Sequence, residues 1–146
     1  MRMKIESEKK FFFSVTTDIL VSSEISSRIT SLNSGALLVF SGDVRNHDGG
    51  RNVLALEYES HPTAEATLEE IGREALLQPQ IHGVAIVHRI GNIPIGESAL
   101  IVAVVAEHRA EAFQLCGHIV DQVKLRTPIW KHQFFADGSD EWVNSP

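Results

Sequence analysis

Apolar positions along the chain switch between alternating and helical spacing, and the switches outline the elements. Phe11 to Val21 is crowded with aromatic and β-branched residues, which predicts an edge strand. Ser22 and Ser23 can cap a short helix with Ile25, Ile29 and Leu32 on its apolar face, stopped by Asn33-Ser34-Gly35. Ala36 to Phe40 reads as a buried strand, and Gly42 to Arg51 as a loop by composition. Val53 to Glu59 then alternates, with Leu54, Leu56 and Tyr58 on one face and Glu57 and Glu59 on the other. That is a half-buried strand.

Pro62 opens a second helix that ends before Pro79, with Ala64, Leu68, Ile71 and Ala75 inward and Glu65, Glu69, Glu70 and Glu74 in solvent. Val84 to Ile90 is another strand, Gly91 to Gly96 a turn, and Ala99 to Val105 an uninterrupted core strand. A third helix runs from about Arg109 to about Leu125 and stops before Thr127-Pro128. Ile129 to Phe135 and Glu141-Trp142-Val143 end the pattern as short strand and tail. Strands and helices alternate imperfectly, so α+β with a mixed or antiparallel sheet is favoured over a doubly wound fold. No repeat or linker divides residues 1–146, which read as one domain.

Composition narrows the function classes. Thirteen Lys+Arg against nineteen Asp+Glu give a formal charge of −6, which argues against a general nucleic-acid or anionic-membrane coat. The single cysteine, Cys116, forms no intrachain disulfide and points to a reducing compartment. Its position on the apolar face of the third helix suits a small hydrophobe better than a nucleophile. The N-terminal residues carry mixed charge and no secretory core, and no apolar run reaches the length of a membrane span. The expected location is the cytoplasm. Hydrolase, NTPase, dinucleotide and zinc motifs are all missing. His82 and His88 share a strand face but lie roughly 20 Å apart, too far to hold one ion.

The charges are unevenly spread. Glu57 to Glu74 carries six acids and one arginine, whereas Ile101 to Phe135 holds Arg109, Lys124, Arg126 and Lys131. At 100° per residue, Phe113, Cys116, Gly117, Val120 and Lys124 share one helix face, so Lys124 falls on an apolar stripe. It reads either as a lysine that snorkels to water or as a partly desolvated one suited to proton transfer or anion binding. The Pro128 break can fold Lys131 back toward it. His108 and Arg109 stand at the start of the same helix, where free N–H groups favour anions; Arg109 could equally pair with Glu107 or Glu111. Arg45, in a loop flanked by glycines, adds another cation.

Five ordered segments resemble a known family. Phe40-Ser41-Gly42-Asp43-Val44-Arg45-Asn46-His47 is similar to an FxGxVRxH loop, and Leu56-Glu57-Tyr58-Glu59 before Pro62 to a second landmark. Val87-His88-Arg89-Ile90-Gly91 with Pro94-Ile95-Gly96-Glu97 resembles an HRxGxxxxGE turn, and Ala106-Glu107-His108-Arg109 an AHR element. Lys124-Leu125-Arg126-Thr127-Pro128-Ile129-Trp130-Lys131 resembles the KxxxPxWK signature, the most specific of the five. These are landmarks of the MoaE family, the large catalytic subunits of molybdopterin synthase, and they span about residue 35 to 143.

The resemblance implies an α/β-hammerhead fold with an additional antiparallel β subdomain, and a homodimer of large subunits within a heterotetramer. It implies a small ubiquitin-like sulfur-carrier partner, whose C-terminal Gly-Gly thiocarboxylate enters the active site. The implied reaction is sulfur transfer to cyclic pyranopterin monophosphate (precursor Z), giving the dithiolene of molybdopterin without a resident cofactor or metal. Lys124 and Lys131 match the family's catalytic lysines. Asp43, Val44, Arg45, His108, Arg109, Lys131, His132 and Gln133 match substrate-binding positions, with Lys124 among them. A non-catalytic anion-binding or interaction subunit on the same scaffold is the alternative.

Overall fold

A computed structural model describes residues 8–143; the start of the N-terminal segment and Asn144 to Pro146 lie outside the described residues. The elements fall into two sheets joined by a shared core. The first has the order β1-β5-β7-β2, from β1 (Lys10–Thr16), β5 (Ile81–Arg89), β7 (Ser98–Ala106) and β2 (Ala36–Asp43). β1 runs parallel to β5, and the remaining pairs are antiparallel. β5 and β7 are almost continuously buried, as expected for central strands covered on both faces.

Helices supply those covers. α2 (Ala64–Leu76) and α3 (Arg109–Arg126) place Leu68, Ile71, Leu115, Ile119 and Val123 on one face, against Val84, Ile86, Val102 and Val104. Each such buried side chain stabilises the fold by about 1.5–3 kcal/mol relative to exposure. Gly72 lets α2 sit on β1, because a Cβ there would lie 2.0 Å from the Phe13 ring. α1 (Ser22–Ser27) covers the other face with Ile25, followed by Ile29.

The second sheet is antiparallel, in the order β3-β4-β8-β9, from β3 (His47–Asp48), β4 (Arg51–Ser60), β8 (Ile129–Phe135) and β9 (Asp140–Val143). β6 (Gly91–Ile93) pairs with β4 at Leu56 to Tyr58. A small core of Val44, Leu56, Tyr58, Ala64, Ile93, Ala99 and Ile129 seals this sheet onto the first. The architecture is therefore α+β, as the sequence pattern predicts, with the added antiparallel unit that the family resemblance implies.

Several local expectations change. The predicted first strand ends at Thr16, and Leu32 is fully exposed because α1 closes five residues earlier. The glycine-rich loop contains β3, turned into β4 by Gly49 and Gly50 at φ of 56° and 78°. The turn after β5 holds β6. Leu54 lies 64% exposed while Val53 is buried, because the β4–β8 register shifts between Val53 and Ala55.

Candidate active site

A cleft of about 220 Å³ opens where the two sheets meet the C-terminal end of α3. Phe40, Asp43, Arg45, Tyr58, His88, Lys124 and Lys131 are among its lining residues. Local structure sets each position. Thr127 leaves the helix with φ −82° and ψ 124°, the extended geometry required before Pro128, and this ends α3 just beyond Lys124. Alternation along β8 then puts Lys131 and Gln133 on the inner face, in line with buried Ile129 and Phe135.

The loop carrying Arg45 is pinned from beneath. Val44 is buried, its N–H donates to the Glu97 carbonyl at 3.0 Å, and its carbonyl accepts from the Gly96 N–H at 2.8 Å. Val44 therefore anchors the loop and presents neither side chain nor free backbone to the cleft. Arg45 emerges beside it with its side chain 67% exposed. Asp43 accepts hydrogen bonds from the hydroxyls of Ser41 and Ser98, the latter at 2.7 Å, and these hold its carboxyl below the usual range.

The cations are poorly neutralised. Lys124 and Lys131 form no hydrogen bond or ion pair among the described residues, and Arg45 has only a 4.0 Å contact with Asp48. Burial pushes the Lys131 ammonium below the ordinary lysine range, and the charges of Lys124 and Arg45 add to that shift; Asp48 and Glu141 oppose it. Gln133 donates to Asp48 at 2.8 Å and is the main cause of that carboxyl's lowered pKa. Gln133 thus fixes Asp48, an acid that acts on both Arg45 and Lys131. The desolvated lysine of the site is Lys131; Lys124 is exposed at the rim.

Other expected residues lie elsewhere. His108 and Arg109 occupy the opposite end of α3, exposed to solvent, about 22 Å from Lys124 along the helix. His108 stands 4.0 Å from Glu111. His132 points to the other face of β8, stacked on Trp142 at 4.1 Å and bonded to Asp140 at 2.6 Å. The face of α3 read from the sequence is displaced as well: Phe113 is 63% exposed, and the buried stripe is Ala112, Leu115, Cys116, Ile119 and Val123. Burial raises the Cys116 thiol to about 11, so it stays protonated and inert.

Two lining residues escaped the sequence reading, Tyr58 and His88. Burial raises the Tyr58 phenol to about 12 and lowers His88 to about 4, so both are neutral near pH 7. A histidine inside a strand buried on both faces was the available signal. A more open depression of about 610 Å³ adjoins Glu8, Lys10 and Thr30 to Asn33, but its lysine is engaged, donating to the Thr30 carbonyl at 2.7 Å. Among the described residues no His, Cys, Asp and Glu group could hold a metal ion, and no helix is long and apolar enough to cross a membrane.

The cleft defines a class: an α+β protein that gathers cations without full counter-ions in one cleft, one of them partly desolvated. A family model described as MoaE protein matches residues 15–126. The molybdopterin synthase catalytic subunit of Bos taurus is 31% identical over 140 residues, covering 95% of this chain and 74% of its own. That of Pyrococcus abyssi is 40% identical over 116 residues, covering 79% and 78%. Among solved structures, molybdopterin synthase from Staphylococcus aureus superposes with a TM-score of 0.83 at 31% identity, over 90% of this chain and 96% of that one. The chain belongs to the MoaE family.

Proposed function

We propose that this chain is the catalytic subunit of a molybdopterin synthase, an enzyme that transfers sulfur to a pterin phosphate. The observation that carries the reading is the convergence of Lys124, Lys131 and Arg45 on one cleft without full counter-ions. Such a cleft suits a phosphate ester, and it stabilises negative charge that develops during attack. Sulfur arrives as the C-terminal Gly-Gly thiocarboxylate of a small ubiquitin-like partner, which agrees with a chain whose own thiol is buried.

Lys124 stands at the rim, where an incoming tail meets it first, and moves protons during thiocarboxylate attack and release of the acyl group. Lys131, set deeper, holds the substrate and the developing charge. Arg45 binds the phosphate, with Asp43 beside it, while Val44 and Gln133 position the groups around them. His108 and Arg109 act across a homodimer, because one chain holds them a helix length from Lys124. Two large and two small subunits make the working heterotetramer, and the cytoplasm is its compartment.

Reconstitution tests this. The purified chain, mixed with thiocarboxylated small subunit and cyclic pyranopterin monophosphate, yields the dithiolene product. Wild-type protein that binds neither the small subunit nor the pterin, and gives no product, contradicts the reading.

A further inference from the structure

His88 is fully buried on β5, yet it contributes to the wall of the cleft beside Lys124, Lys131 and Tyr58. Its Nδ1 lies 2.7 Å from the Arg89 carbonyl oxygen. A carbonyl only accepts, so Nδ1 carries the proton and Nε2 is a bare acceptor. That Nε2 is buried and finds no hydrogen-bond partner among the described residues. The Tyr58 ring packs edge-on at 4.9 Å and 76°, which fixes the imidazole plane without supplying a donor to Nε2. The Lys124 ammonium is near enough to disfavour a charge on His88, but no hydrogen bond joins the two.

A buried acceptor left without a partner at the wall of a ligand-sized cleft is costly unless a ligand that parts the wall satisfies it. The surrounding cations attract an anion, but sulfate, which carries no hydrogen near pH 7, would turn only oxygen lone pairs toward Nε2 and gain nothing there. A heterocycle that carries N–H groups alongside its phosphate satisfies both. We propose that His88 is a specificity-determining residue whose Nε2 accepts a hydrogen bond from an N–H group of the bound pterin. This rests on the molybdopterin synthase reading above and adds the feature that distinguishes the heterocycle from its phosphate.

The test observes the nitrogen directly. In intact protein labelled with ¹⁵N-histidine, the His88 Nε2 resonance lies in the unprotonated range. Cyclic pyranopterin monophosphate moves it toward the hydrogen-bonded range, and sulfate, an oxyanion with no donor, does not. His88→Leu weakens pterin binding by about tenfold and leaves sulfate binding unchanged; His88→Gln, which keeps an acceptor, restores most of the loss. An Nε2 resonance unmoved at pterin saturation overturns the role of His88 alone, and so does a His88→Leu that weakens both ligands equally. Wild-type protein that fails to bind the pterin at all overturns the functional reading and this inference with it. The wild-type spectra decide even if His88→Leu does not fold.

Discussion

Three cations within the eight residues from Lys124 to Lys131 behave in opposite ways around the end of α3. On the outer side, Arg126 donates to Glu74 at 2.8 and 3.1 Å and lies 2.9 Å from Glu70 on α2. On the inner side, Lys124 and Lys131 have no such partner. All three belong to one signature segment, and their charge alone does not rank them. The fold ranks them by what each faces: Arg126 faces the acidic stripe of α2, and the lysines face a cleft. Availability, rather than presence, of positive charge marks the site.

Substitutions separate the two sides. The largest effect in the cleft, beside that of Lys124, is expected from Lys131→Ala, which lowers single-turnover product formation by about 100-fold or more, since it removes the desolvated charge. Arg45→Ala weakens pterin-phosphate binding by about tenfold, measured by titration calorimetry, and flattens its salt dependence.

A subtler effect is a shift in pH dependence. Binding that needs the Lys131 ammonium falls as pH rises through its depressed pKa. Removing a neighbouring cation with Lys124→Gln raises that pKa and moves the alkaline limb upward. Asp48→Asn removes a favourable charge and moves the limb downward. Limbs that move the other way, measured by ligand titration against pH, contradict the electrostatic account. The smallest effect belongs to the paired side: Arg126→Ala leaves the rate unchanged and the thermal midpoint nearly so, because the pair is solvent-exposed.

Much of this was legible from residue order. Alternation and helical spacing locate the main strands and both long helices, Thr127-Pro128 fixes the end of α3, and Lys124, Lys131 and Arg45 do converge. What stayed hidden depends on register and tertiary contact. A one-residue shift at Val53/Ala55 reverses the side on which Leu54 falls. The face of α3 was misplaced because Phe113, apolar in sequence, lies outside the part that α2 and the sheet cover, while Val120 is only partly buried against the core. His132 follows Lys131 in sequence and so must point away from it on a strand. His88 looked like half of an impossible metal pair. Its proposed role as an unpartnered acceptor depends on the Arg89 carbonyl and the Tyr58 ring, which only the fold brings to it.

The most direct measurement of the central claim compares Lys124→Ala with Arg126→Ala in a single-turnover reaction with thiocarboxylated small subunit and cyclic pyranopterin monophosphate. Both variants should bind the small subunit and unfold at nearly wild-type temperatures. The account predicts that Arg126→Ala forms the dithiolene at the wild-type rate and Lys124→Ala at least about 100-fold more slowly. Equal rates for the two variants would contradict it.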